Sequence, residues 1–116
     1  MRDDKSNIIV DKTFLFALEI VKFVEQLEKD KRFVISKQLL RSGTSIGTNV
    51  REAQNAESKA DFIHKMKIAA KEVDETDYWL MICKHSEGYC YHENLELMLK
   101  EIIKILSKII SSSKTI

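Results

Sequence analysis

The sequence predicts an all-α protein, an antiparallel up-down-up-down four-helix bundle in a single domain. Its 116 residues contain no proline and only 3 glycines, so turn chemistry is scarce. Apolar residues recur at spacings of three and four along most of the chain, which is the period of packed helices. A chain of this length suits one domain, residues 1–116, and short connections between four helices favour a bundle. We expect residues 1–7 and 112–116 to be loose.

The most regular stripe runs through residues 39–80 and organises the rest of the prediction. Its first half alternates spacings of four and three, and its second half repeats that alternation. Such a narrow stripe lets two helices pack lengthwise at a shallow angle. The predicted core positions are Leu39, Gly43, Ile46, Val50, Ala53, Phe62, Met66, Ala69, Val73, Thr76, Leu80 and Cys83.

The first two helices are predicted from their apolar periodicity and from capping residues. The first runs from about Asp11, which can cap its N-terminus, to about Asp30. The second begins after Ser36 as its cap, with Ile35 placed to staple onto Leu40.

The third and fourth helices follow from a capping box and from a second wide apolar pattern. Ser58 followed by Asp61 three residues later predicts the start of the third helix. Gly88 is the expected left-handed stop after it. The fourth helix is predicted from about His92 to Ser111, with an apolar face wider than one groove needs.

Two glycines lie inside the predicted second helix. Each of Gly43 and Gly47 lowers helix stability by about 1 kcal/mol relative to alanine. A glycine kept in such a position usually lets a second backbone approach, so we expect this helix to be crowded on two sides. The alternative is a kink or break near Gly47.

Composition excludes several functional classes. A formal charge of +1 gives no general attraction to nucleic acid or to an anionic membrane. The segment 1–5 is not the start of a signal peptide, and no stretch approaches the roughly 20 apolar residues that span a bilayer. Cys83 and Cys90 are too few for a disulfide framework, so we expect reduced thiols in a cytoplasmic protein without membrane partners.

No residue pattern spells out a reaction or a metal site. A di-metal bundle needs Glu-x-x-His on two helices, and the only near match is Asp61 with His64. Cys90 lies near His85 and His92 in sequence, but no oxyanion donor accompanies them. We therefore expect no catalytic residue, no metal and no cofactor, and interpret the protein as not an enzyme.

A set of basic residues gathers around the second helix and the start of the third. Such a set can contact phosphates, although it lacks the interleaved aromatics of a single-strand binder. The alternative is an ordinary solvated face. The candidate nucleic-acid-binding residues are Lys37, Arg41, Arg51, Lys59, Lys65, Lys67 and Lys71.

A line of polar residues flanks the core stripe of the second helix. Asn49 and Glu52 on that line, with Glu75 on the third helix, are candidates for a buried network that fixes helix register. A solvated edge of the bundle is the equally open alternative.

The apolar pattern also predicts self-association. The first helix is apolar around most of its circumference, and parts of the third lie off its core line, which leaves surface that one bundle cannot hide. The candidate interface residues are Phe14, Phe16, Ile68, Trp79 and Ile82. The competing interpretation is a compact monomer with the first helix at its centre.

Together these segments resemble a known family. The run Arg41-Ser-Gly-Thr-Ser-Ile-Gly-Thr-Asn-Val-Arg-Glu-Ala53, followed by Phe62, Met66, Ile68-Ala69 and Tyr78-Trp79-Leu80, resembles the bacterial four-helix-bundle proteins encoded in intervening sequences of 23S ribosomal RNA genes. The resemblance implies a cytoplasmic, non-enzymatic bundle that assembles into a ring, commonly a pentamer.

The accessory variability protein of diversity-generating retroelements is similar to the same family. It binds a reverse transcriptase and RNA through a basic surface, whereas this chain is nearly neutral. The resemblance thus leaves two functional hypotheses. One is a module that binds RNA or an RNA-binding protein through the second and third helices, and the other is an oligomeric scaffold without nucleic acid.

Overall fold

Four helices make up the computed structural model, which describes residues 7–114. They are α1 (Ile8–Lys29), α2 (Phe33–Gln54), α3 (Lys59–His85) and α4 (Glu93–Lys114), and no strand occurs among the described residues. Each helix packs against two others in the cyclic order α1, α2, α3, α4, which gives a rod of 48 × 21 × 20 Å. The predicted all-α up-down-up-down bundle is confirmed.

One apolar core runs along the centre of the bundle. The predicted stripes of α2 and α3 face it, and of their positions only Phe62 is not fully buried. The largest core side chains include Phe16, Phe23 and Leu27 from α1 and Leu106 from α4. Burying each large side chain stabilises the fold by about 1.5–3 kcal/mol.

The starts of the first two helices differ from the prediction. α1 begins one turn earlier, because Asn7 caps it by accepting from the Val10 amide at 3.4 Å, so Asp11 is not the cap. α2 begins at Phe33, before the predicted cap Ser36. The Ser36 hydroxyl is buried inside the helix and donates to the Phe33 carbonyl at 3.1 Å.

The staple predicted between Ile35 and Leu40 is therefore wrong. Both residues lie inside α2, with Ile35 in the core and Leu40 exposed on the outer face. A hydrophobic staple needs its first residue to precede the cap, and here the cap position is Arg32, which makes no side-chain capping bond.

The start of α3 agrees with the prediction and its end does not. The Ser58 hydroxyl accepts from the Asp61 amide at 3.0 Å, while the Asp61 carboxylate accepts from the amide of Glu57. α3 ends at His85, and Gly88 adopts its left-handed φ of 84° in the loop beyond.

The bounds of α4 also differ from the prediction at its C-terminal end. α4 continues to Lys114, so residues 112–114, predicted to be loose, are helical. Asn7, also predicted to be loose, is the ordered cap of α1. The expectations for residues 1–6 and 115–116 lie outside the described residues. Within residues 7–114, no helix is long and apolar enough to cross a bilayer.

The two glycines of α2 face different surroundings in an uninterrupted helix. A Cβ on Gly43 would lie 2.9 Å from Cγ1 and 3.0 Å from Cγ2 of Ile20, so α1 packs directly onto this glycine. The nearest atoms to a Cβ on Gly47 would be the carbonyl and hydroxyl oxygens of Thr13 at 3.5 Å, an ordinary contact. Close packing between helices therefore requires glycine at 43 and not at 47.

Candidate interaction surfaces

The seam between α2 and α3 carries charges that neutralise each other. The Arg41 guanidinium lies 3.4 Å from the Glu72 carboxylate and also donates to Glu75. The Trp79 ring nitrogen donates to the same Glu75 carboxylate at 3.1 Å. The bonds from Arg41 and Trp79 lower the pKa of Glu75, and the acidic partners raise the pKa of Arg41. This part of the predicted basic surface is an interhelical ion-pair cluster.

The remaining basic residues point to different sides of the bundle. Lys65 pairs with Glu52 at 3.0 Å in the same seam. Arg51 lies on the α1 side of α2, with its guanidinium carbon 5.8 Å from the centre of the Phe14 ring. Lys67 approaches Lys114 of α4, which lowers the pKa of Lys67. The other three, exposed on α2 and α3, are Lys37, Lys59 and Lys71. The structure therefore places Arg41 and Lys65 in the α2/α3 seam, Arg51 towards α1 and Lys67 towards α4.

The buried polar contact between α2 and α3 is not the predicted one. The Thr76 hydroxyl donates to the Ser42 hydroxyl at 2.9 Å, and both residues are buried. Asn49 instead donates to the Ser45 carbonyl of its own helix at 2.8 Å. Since Glu52 is exposed, it takes no part in a buried network. The polar line of α2 was readable from sequence, since Ser42 lies on it seven residues before Asn49. The residue that pairs across the seam depends on the register between the two helices.

A second polar cluster, centred on Glu96 at the start of α4, was not predicted. Its carboxylate accepts from the Tyr91 hydroxyl and from Lys84 at 3.2 Å, and it lies 3.3 Å from Lys100. The Tyr91 hydrogen bond, with the two lysines, lowers the pKa of Glu96 to about 2. The i,i+4 spacing of Glu96 and Lys100 was the one sequence signal of this cluster.

The predicted oligomer interface divides into buried and exposed members. Phe16 is 0% exposed and lies in the bundle core, so the prediction that it faces a partner is wrong. The sequence did not distinguish the inward side of α1, because apolar residues surround Phe16 on every side of the helix. Phe14 is 50% exposed, whereas Ile68, Trp79 and Ile82 are half-buried on α3.

Exposed apolar side chains concentrate on the outer surface of α1. Leu15 is 54% exposed and Leu18 is 44% exposed, beside Phe14. Exposed apolar residues on the same and the neighbouring helix are Ile8, Val21, Phe33, Val34 and Leu40. On the opposite side of the bundle, the outer surfaces of α3 and α4 expose Tyr78, Met81 and Leu97.

An apolar groove of about 150 Å³ lies between α1 and α2. We call it the Gly47 groove, because Gly47 lies among its lining residues and adds no side chain to it. Phe14 and Ala17 line it from α1, and Arg51 lines it from α2 with its guanidinium over the Phe14 ring. The remaining lining residues are Val10, Thr13, Thr44 and Thr48.

The candidate chemical groups lie in unreactive settings. Burial raises the pKa of the Cys83 thiol to about 11, and it also raises the pKa of Cys90. A thiol with a raised pKa is a poor nucleophile near neutral pH. Among residues 7–114, no group of three or more histidines, cysteines and carboxylates is placed to hold a metal ion.

Comparisons with known proteins identify the family. The model of the 23S rRNA-intervening sequence proteins matches residues 5–111. The crystal structure of a protein of unknown function from the S23 ribosomal protein family of Bacteroides thetaiotaomicron is 47% identical, with a TM-score of 0.82. That match covers 89% of this chain and 98% of the other. No curated protein matches the sequence. With the family model spanning nearly the whole four-helix bundle, the chain belongs to the 23S rRNA-intervening sequence protein family.

Proposed function

We propose that this protein is a non-enzymatic, homo-oligomeric four-helix bundle that acts as an interaction scaffold. The observation that carries the proposal is the apolar outer surface of α1, where Phe14, Leu15 and Leu18 are each about half exposed. An apolar surface of this kind, rimmed by polar residues, is typical of a protein–protein interface. The two free thiols fit a reducing compartment such as the cytoplasm.

The size of the effect supports association. Full burial of a large apolar side chain is worth about 1.5–3 kcal/mol, so covering a half-exposed one recovers about half of that. Burying three such residues on α1, together with exposed neighbours on α2, contributes several kcal/mol to the free energy of association before its entropic cost is subtracted. Removing this surface from water therefore favours a stable contact.

The non-enzymatic part of the proposal rests on how the polar groups are used. The carboxylates of Glu72, Glu75 and Glu96 are occupied by cations or hydroxyl donors of the bundle itself. Neither thiol is activated. The matching family model and the matching crystal structure name no catalytic activity, and that crystal structure is of a protein of unknown function.

Light scattering behind a sizing column tests the proposal directly. We expect a particle several times the 13.5 kDa chain mass at micromolar concentration, and the family resemblance makes a pentamer the expected form. Phe14→Glu should dissociate the oligomer. Lys67→Ala, a change at an exposed position of α3, should not. A 13.5 kDa particle for the unaltered protein contradicts the proposal.

A second candidate function is binding to RNA or to an RNA-binding protein. The specific observation in its favour is the approach of Lys67 to Lys114, where two cations lie together and neither pairs with a carboxylate among the described residues. A phosphate group relieves such repulsion. If RNA binds here, the logarithm of its affinity should fall with the logarithm of salt concentration. Lys67→Ala should reduce that slope by about one unit, and Arg51→Ala, on another side, should not. Salt-independent binding, or none at low salt, rejects this function.

A further inference from the structure

Glycine at position 47 has no explanation inside the subunit. A glycine within a helix is unfavourable by about 1 kcal/mol relative to alanine, and at position 43 the contact with Ile20 accounts for it. At position 47 a methyl group fits at 3.5 Å from the nearest atoms, so packing between α1 and α2 does not exclude it. What the glycine does achieve is to leave the Gly47 groove open to the outside.

The groove has the size and lining of a socket for one apolar side chain. Cavities of about 150 Å³ with apolar walls accept a small ring or a branched aliphatic group. The exposed Phe14 ring forms one wall, and Arg51 forms part of another. Among residues 7–114, no carboxylate pairs with Arg51, so its charge is free to meet an acid from outside.

The opposite side of the same bundle carries complementary features. Because α1 and α2 are neighbours, and α3 and α4 are neighbours, the outer α1/α2 and α3/α4 faces point in opposite directions. Met81 and Leu97 project from the α3/α4 face as exposed apolar side chains. Asp74 on α3 and Glu93 in the first turn of α4 are exposed acids on these two helices without an ion-pair partner in the described chain.

From these complementary faces we infer that the Gly47 groove receives the α3/α4 face of a second copy of this chain. This inference rests on the proposed self-association and specifies the contact. The apolar side chains Met81 and Leu97 are the elements that enter or cover the groove, and the unpaired acids of the same two helices, Asp74 and Glu93, meet Arg51. The contact is heterologous, with different surfaces on the two subunits, so repeating it produces a ring or an open chain of subunits.

Two variants separate the two halves of the contact. Gly47→Leu fills the groove and leaves the α3/α4 face unchanged, while Met81→Glu with Leu97→Glu disables that face and leaves the groove unchanged. Each variant alone should elute as a 13.5 kDa monomer with the helical circular dichroism of the unaltered protein. Gln38→Leu adds the same side chain to α2 outside the groove and should assemble normally.

Mixing the two variants is the decisive measurement. Each retains one intact half, so a 1:1 mixture should form a heterodimer of twice 13.5 kDa and nothing larger. Failure to form it overturns the pairing of these two faces, as does normal assembly of either variant alone. Loss of assembly in Gln38→Leu also contradicts the proposal. It would show that a leucine on α2 disrupts assembly without filling the groove. An unaltered protein that is itself monomeric rejects self-association altogether, which distinguishes the two failures.

Discussion

The two glycines of α2 permit a matched test of how closely α1 and α2 pack. Gly43→Ala and Gly47→Ala are the same change in the same helix, and each gains about 1 kcal/mol of helix propensity. At 47 the new methyl group lies 3.5 Å from Thr13, so the gain should survive as a stabilisation of up to about 1 kcal/mol. At 43 the methyl group lies 2.9 Å from Cγ1 and 3.0 Å from Cγ2 of Ile20.

Ile20 cannot move aside easily. It is fully buried, and branching at Cβ restricts its χ1 angle, so relief requires a shift of α1 or a strained rotamer. Overpacking of this kind costs about 1–3 kcal/mol, which outweighs or cancels the propensity gain. Gly43→Ala should therefore be less stable than Gly47→Ala by about 1–3 kcal/mol.

Urea unfolding at several protein concentrations measures this difference and separates folding from association. The control is the same pair of changes in an Ile20→Ala background, where the obstructing atoms are gone and Gly43→Ala should become stabilising. Equal stabilisation by both alanines in the unaltered background refutes the packing argument.

Three further predictions concern single contacts. Ser42→Ala should cost about 1–3 kcal/mol by leaving the Thr76 hydroxyl without its acceptor, and Thr76→Val added to it should recover part of the loss in a double-mutant cycle by urea unfolding. The folded-state pKa of Glu96 is lowered from 4.5 to about 2, so its contribution to the free energy of unfolding is fully present above pH 4.5 and disappears as the pH falls towards 2. The unfolding midpoint of Glu96→Gln should therefore vary less over that range than that of the unaltered protein. Phe16→Ala should lower the free energy of unfolding by about 3–5 kcal/mol and Phe14→Ala by much less at concentrations where the protein is monomeric, since only Phe16 is fully buried; equal losses contradict the assignment.

The fold was readable from sequence because the periodic stripes of α2 and α3 coincide with the buried positions. The starts of α1 and α2 were not, because capping residues compete. Asn7 and Asp11 are both good caps, and the outcome was decided by Ile9 and Val10, which are buried and therefore extend α1 back to Asn7. Ser36 is likewise a good cap in isolation, but its hydroxyl bonds back inside a helix that has already begun.

The interaction surfaces were harder to predict because they depend on partners across helices. From sequence alone, a basic stripe on one helix resembles a free surface, because its acidic partners become apparent only when the register of the neighbouring helix is known. In the structure Glu75 meets Arg41, and Glu52 meets Lys65, across the α2/α3 seam. The same limit hid the Gly47 groove. The sequence indicates an unusual glycine, and only the distance to Thr13 shows that the subunit itself does not need it.

The adjacency of α1 and α4 has a consequence for the order in which the protein forms during translation. Three of the four helix pairings join segments consecutive in the chain, but the fourth joins the first helix to the last. Its contacts include the 3.1 Å ion pair of Lys12 with Glu101. Until the ribosome releases α4, the side of α1 that packs against it stays uncovered, together with the outer apolar surface of α1. The nascent chain is therefore most exposed to premature association after α3 has emerged and before α4 can pack against α1.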